Sequence, residues 1–98
     1  MTNLQTLVTE DRRLAELALL ADSTGYAAVG PMLQLALGGL GHTVALETVS
    51  SDLAWLRDSV LIELSNVAGV WIAKLTGRGL DVAKGRTQVP GVARPRPD

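Results

Sequence analysis

The sequence predicts a mainly α-helical domain that carries a small β-hairpin. Apolar residues recur at intervals of three and four along three segments before residue 60, which is the period of amphipathic helices. Two short apolar runs follow at 61–65 and 70–75, joined by Asn66-Val67-Ala68-Gly69, a turn of the length expected in a hairpin. The order of elements is a helix-turn-helix followed by a hairpin, an arrangement that presents its second helix to a binding partner.

Length and composition restrict the architecture to one domain. The chain has 98 residues, 47% of them hydrophobic, which is enough for a single small core. We expect a domain over residues 1–88 and a flexible tail over residues 89–98, because the tail combines three prolines and two arginines with little apolar content.

The first helix is predicted to run to about Ala21. It begins either near Thr2, which has capping-box spacing with Gln5, or at Thr9. Its apolar surface is wider than one stripe, so either the helix is central in the monomer or its additional face contacts a second copy in a homodimer. The predicted dimer interface consists of Leu14, Leu17, Leu19 and Leu20.

Two further helices are predicted over 31–40 and about 45–60, separated by Gly41-His42-Thr43. Pro31 suits a first helical turn, where a missing N–H costs nothing. His42 has no second histidine, no cysteine and no nearby carboxylate at ligand spacing in the sequence. It is therefore interpreted as a turn residue rather than a metal ligand or catalytic base.

The helix at 45–60 determines which side chains face a partner. At about 100° per residue, its core face comprises Leu46, Val49, Leu53, Leu56 and Val60, and its outer face comprises Glu47, Thr48, Ser51, Ala54, Trp55 and Asp58. Trp55 is unusual there, because large aromatic residues are seldom exposed. It either folds back against the hairpin or the following loop, or serves as an interface anchor of the kind found at binding hot spots.

The end of the domain is predicted to be a short helix. Thr76 is a suitable N-cap, the helix extends through Lys84, and Gly85 is its expected stop.

Charge argues against strong non-specific DNA binding. The net charge is −1, with −2 over residues 1–22, −2 over 23–75 and +3 over 76–98. A protein that binds DNA mainly through phosphates needs a basic face, because affinity comes largely from counterion release.

Several functional classes are disfavoured by residue type. The chain has no cysteine, so neither a disulfide nor a thiolate metal site is available. It has no Ser-His-Asp set and no phosphate-binding loop, so we expect no enzyme, no cofactor and no metal. The longest apolar run, within 14–21, is too short to span a bilayer, and the N-terminus lacks a signal pattern. A cytoplasmic protein is expected.

The sequence resembles winged-helix regulators of the ArsR and MarR type along the helix-to-hairpin stretch 49–62 and at Leu75-Thr76-Gly77-Arg78-Gly79-Leu80. It resembles more closely a small family encoded in Mu-like phages and prophages, often labelled ArsR-like regulators. The segments that carry this likeness are Glu10-Asp11-Arg12-Arg13-Leu14, Gly25-Tyr26, Leu40-Gly41-His42, Asp52-Leu53-Ala54-Trp55-Leu56, Gly79-Leu80-Asp81-Val82-Ala83 and Val89-Pro90-Gly91-Val92.

The resemblance implies a winged helix-turn-helix fold in a protein of the bacterial host cell, with a surface that binds DNA or a partner. By position that surface comprises Thr48, Ser50, Ser51, Ala54, Trp55 and Arg57, together with the hairpin residue Asn66 and the arginines Arg78, Arg94 and Arg96. The sequence departs from the family pattern because Glu47, Asp52 and Asp58 surround Arg57 and give the helix a net charge of −2.

Two functions follow as hypotheses. The first is a homodimeric regulator that binds double-stranded DNA, which we favour narrowly by analogy of fold. The second is a module for phage protein interaction, assembly or packaging that keeps the fold and binds a phage or host protein through the Trp55 face.

Overall fold

A computed structural model describes residues 3–97, which form a small α+β domain with four α-helices and a three-stranded antiparallel sheet. The helices are α1 (Leu4–Ala21), α2 (Gly30–Gly39), α3 (Leu46–Asp58) and α4 (Gly77–Ala83), and the strands are β1 (Ala27–Val29), β2 (Ile62–Val67) and β3 (Val70–Leu75). The predicted mainly α fold with a hairpin is confirmed. Strand β1 was not predicted, since a strand of three residues is too short to show a period of two.

Helix α1 is capped by Asn3, whose side-chain oxygen accepts a hydrogen bond from the Thr6 backbone N–H at 2.8 Å. Of the two predicted starting points, Thr9 lies inside the helix and Thr2 lies outside the described residues. The helix ends at Ala21 as predicted, and Gly25 in the following turn has a left-handed backbone with φ of +69°.

The sheet has the strand order β1-β3-β2, so the hairpin's second strand lies in the centre. The turn is shorter than predicted, because β2 extends to Val67 and pairs with Val70. Ala68 and Gly69 form the turn with positive φ angles of 53° and 83°, the geometry that twists in the same sense as the strands. The Asn66 side chain accepts a hydrogen bond from the Gly69 N–H at 3.0 Å and stabilises this turn.

The core lies between α1, the α2–α3 pair and one face of the sheet. It is built mainly from aliphatic side chains, with a central position for α1. Its buried members are Leu17, Leu20, Leu33, Leu37, Val49, Leu53, Leu56, Leu61, Ile62, Ala73, Leu75, Val82, Val89 and Val92.

Helix α4 begins after Thr76, as predicted, and ends at Ala83, one residue before the predicted end. The Thr76 hydroxyl accepts a hydrogen bond from the Gly79 N–H at 3.0 Å, and Gly85 follows the helix with φ of +78°. Gly79 packs directly on the Leu61 backbone carbonyl, where a Cβ would overlap the oxygen. A larger residue at Gly79 would push α4 away from the start of β2.

Residues 86–97, named here the C-terminal strap, have no regular secondary structure but return across α1. Val89 and Val92 are buried in the core, and the Ala93 N–H donates to the Glu10 carbonyl at 3.1 Å. The domain therefore extends beyond the predicted boundary at residue 88, and residues 89–93 do not form a free tail. Two buried valines three positions apart anchor this segment in the core, although its prolines and arginines give it the composition of a linker.

None of the helices within residues 3–97 combines the length and apolar content needed to cross a membrane.

Candidate functional site on α3 and the hairpin

Helix α3 buries Val49, Leu53 and Leu56, as its apolar period predicts. Two residues predicted to share that face are different: Leu46 is 38% exposed and Val60 is 62% exposed. Leu46 is the first residue of α3 and is only partly covered. Val60 is exposed because α3 ends at Asp58, two residues before the predicted end. The chain then reverses through Val60, which has a φ of +62°, and Leu61 enters the core instead.

The outer face of α3 is acidic and polar. Glu47, Ser51, Arg57 and Asp58 are exposed, whereas Thr48, Ser50 and Ala54 are half-buried. The Arg57 guanidinium pairs with the Asp58 carboxylate at 3.2 Å. The principal cation predicted to contact DNA on this helix therefore already has a counter-charge beside it.

Trp55 is half-buried, and residues of α1 and of the strap pack against its ring. The Arg13 guanidinium carbon lies 4.0 Å from the centre of its ring, a cation–π arrangement. Gly91 of the strap packs on the edge of the same ring so closely that a Cβ would overlap it. Trp55 thus folds back, but against α1 and the strap rather than the hairpin.

A buried charge cluster lies beneath Trp55 and joins α1 to α3. The Arg12 Nε and Nη2 atoms donate to the two carboxylate oxygens of Asp52 at 2.5 and 3.1 Å, and Arg13 Nε lies 3.8 Å from Asp52. Arg13 also donates to the Gly91 carbonyl at 3.0 Å. The hydrogen bond to Asp52 raises the pKa of Arg12.

Glu16 completes the cluster. Its side chain is fully buried, and neither carboxyl oxygen has a hydrogen-bond partner among the described residues. Burial, followed by the negative charge of Asp52, raises the pKa of Glu16 to about 10. The sequence prediction did not include this cluster, although Asp52 lies three residues from Val49 and four from Leu56 and so falls on the core stripe.

At the opposite end of α3 lies an open groove, named here the hairpin groove. It is bounded by the N-terminal ends of α2 and α3 and by the hairpin turn, and its volume is about 190 Å³. Its lining, all of it uncharged, consists of Gly30, Pro31, Leu46, Ser50, Gly69, Val70 and Trp71. A second hollow shares Pro31 and continues along α2 past Leu35 and Val44.

The remaining predicted contact residues are dispersed. Asn66 stabilises the hairpin turn, and the Arg78 Nε donates to the Ser59 carbonyl at 3.3 Å, at the C-terminal end of α3. Arg94 is exposed on the strap, and Arg96 pairs with Asp11 at 3.2 Å. The predicted binding residues therefore do not form one continuous basic surface.

The predicted dimer interface needs correction. Leu17 and Leu20 are fully buried in the core of the monomer, and Leu14 and Leu19 are half-buried against it. A single domain can cover them because the strap and α4 both pack on α1. The exposed apolar side chains of α1 are instead Leu4, Leu7 and Val8, at its N-terminal end.

His42 is buried in the turn between α2 and α3, where its Nε2 lies 2.8 Å from the Asp11 carboxylate. The sequence interpretation noted no carboxylate near it along the chain, but the fold provides one from α1. Within residues 3–97, no group of three or more His, Asp or Glu side chains has a geometry that could hold a metal ion.

The fold and the groove define a small α+β protein with an uncovered apolar surface beside an acidic helix. The chain is 42% identical over 91 residues to the "Uncharacterized protein gp26" of Escherichia phage Mu, across 93% of this chain and 94% of that protein. It belongs to the family of that phage Mu protein, in agreement with the resemblance to proteins of Mu-like phages. No family model matches the chain, and no solved structure gives a significant match.

Proposed function

We propose that the protein is a winged helix-turn-helix protein of Mu-like phages that binds another protein through α3 and the hairpin, inside the bacterial host cell. The fold assignment is supported by the order α1-β1-α2-α3-β2-β3 and by the sheet order β1-β3-β2. In this arrangement α3 is the recognition helix and the β2–β3 hairpin is the wing.

The observation that carries the proposal is the chemistry of the surface between the recognition helix and the wing. Every residue that lines the hairpin groove is uncharged, and Leu46, Val70 and Trp71 are each more than a third exposed there. The adjoining outer face of α3 carries Glu47 and Asp58. DNA phosphates gain nothing from an apolar groove and are repelled by carboxylates, whereas aromatic and aliphatic side chains are typical of protein interfaces.

DNA binding is the second candidate. It is favoured by the winged-helix order of elements and by the proximity of Arg57 and Arg78, which both lie near Ser59 at the C-terminal end of α3. These two arginines would supply phosphate contacts.

A salt-dependent titration separates the two functions. Under the protein-binding proposal, the anisotropy of a fluorescent mixed-sequence duplex stays unchanged with micromolar protein even at low salt. Binding at low salt would overturn the proposal if a double Arg57→Ala and Arg78→Ala variant lowered the salt slope by ~1 for each phosphate that it no longer neutralises. A Lys84→Ala variant is the matched control, because it removes an exposed cation from the end of α4.

The protein-binding arm uses site-specific photo-crosslinking in cells that carry the phage. A crosslinking amino acid at Leu35, which is exposed beside Pro31, should give one discrete protein adduct. The same amino acid at Lys84 should not. Equal labelling at both positions would count against a specific surface.

A further inference from the structure

We propose that the hairpin groove binds a partner segment in which a large apolar side chain is flanked by a basic residue. This inference rests on the proposed protein-binding function and specifies the chemistry of the partner. The apolar side chain enters the groove, and the basic residue lies beside the first turn of α3.

The groove has the size and lining for one large apolar side chain. Its volume of about 190 Å³ is many times the ~10–15 Å³ that a single water molecule needs. Leu46 lines the groove from α3, Val70 and Trp71 line it from β3, and Pro31 lines it from α2. Displacement of water from apolar walls of this kind is the main source of affinity at interface hot spots.

The charge around the groove determines which partner residue can lie next to the apolar side chain. Glu47 immediately follows Leu46 in the first turn of α3 and is exposed. The N-terminal end of a helix carries a partial positive charge that favours anions, and Glu47 already offsets it. No lysine, arginine or histidine lines the groove or the adjoining hollow among the described residues. A basic residue of the partner beside the first turn of α3 is therefore attracted by Glu47, whereas an acidic residue is repelled by it.

A preference for a basic partner residue could also arise from the overall negative charge of α3, because Asp58 is exposed on the same helix. The two carboxylates are separated by 11 residues, or ~16 Å along the helix at ~1.5 Å per residue. That separation is about twice the screening length of ~8 Å at physiological salt. Reversing either charge alone therefore reports on its own end of the helix.

The test uses two synthetic nonapeptides that contain the same two leucines. The positions that flank the leucines carry lysine in one peptide and glutamate in the other. Titration into ¹⁵N-labelled protein should shift the amide signals of Leu46 and Val70 and the indole signal of Trp71. We expect the lysine peptide to bind about fivefold more tightly at physiological salt, the scale of one favourable rim charge. Glu47→Lys should reverse the preference, and Asp58→Lys should leave it unchanged.

The outcomes distinguish this inference from the function on which it rests. If both peptides shift the groove signals equally, the charge preference is wrong and the protein-binding function stands. If neither peptide shifts the groove signals, both the charge preference and the protein-binding function are overturned at this surface. If a DNA duplex shifts the signals of Arg57 and Arg78 in place of the groove signals, the regulator function replaces both.

Discussion

The two tryptophans of this protein have opposite environments. Trp55 lies under the C-terminal strap, with Arg13 over its ring and Gly91 against its edge, above a buried charge cluster. Trp71 lies in the hairpin groove, 38% exposed and surrounded by uncharged residues. The sequence predicts that Trp55 lies on the binding face of α3, yet in the fold Trp55 packs against α1 and the strap, and Trp71 is the more exposed of the two. The exposure of an aromatic side chain is therefore stronger evidence for a binding role than its position on a helix.

The largest expected effect comes from breaking the cluster beneath Trp55. Asp52→Ala removes the carboxylate that pairs with Arg12 and leaves a buried guanidinium without that partner. We expect the free energy of unfolding to fall by ~3–5 kcal/mol, measured by urea denaturation. Asp58→Ala on the same helix is the control, and as an exposed site it should change stability by less than ~0.5 kcal/mol. A loss below ~1 kcal/mol in Asp52→Ala would show that the cluster contributes little.

The next effect is a pH dependence of the free energy of unfolding, which arises from Glu16 in the charge cluster. The pKa of Glu16 is about 10 in the folded protein, against 4.5 in the absence of the fold. Its contribution to stability is complete below pH 4.5 and is lost as the pH rises towards 10. Between pH 6 and 8 the free energy of unfolding should fall by at most ~1.4 kcal/mol per pH unit. Glu16→Gln should flatten this slope; an unchanged slope would mean that Glu16 is not its source.

The smallest of the three effects comes from displacing the strap from Trp55, which tests the difference between the two tryptophans. Gly91→Ala places a methyl group against the indole ring at a residue with φ of +98°. We expect a loss of ~1–3 kcal/mol, the cost of a strained backbone and a displaced ring. The emission of Trp55, recorded in a Trp71→Phe background, should shift to longer wavelength. Gly41→Ala is a matched control because Gly41 has a similar φ of +92° and its methyl group meets open space. A blue shift or no shift in Gly91→Ala would contradict the proposed packing.

Local periodicity in the sequence was sufficient to predict most of the regular elements. Apolar stripes located the first three helices, the Thr76 cap and the Gly85 stop located α4, and two apolar runs joined by a turn located β2 and β3. Each of these signals lies within a short stretch of the chain. The prediction failed where distant segments meet. Strand β1 is defined only by its pairing with β3, Trp55 is covered by residues that lie more than 30 positions away, and Leu17 and Leu20 are buried by elements far along the chain. Asp52 was recoverable, because a carboxylate on a core stripe requires a buried partner.

The strap also has a consequence for the order in which the protein folds. Arg13 and Gly91 are separated by 78 positions along the chain, and Arg96 and Asp11 by 85. Interactions of such separation close the largest loops, and their entropic cost is met only after local helices and the hairpin have formed. We therefore expect the strap to dock last, on helices that have already packed together. By the same logic we expect it to be the first part of the native protein to open, which would expose the indole of Trp55 before the rest of the core.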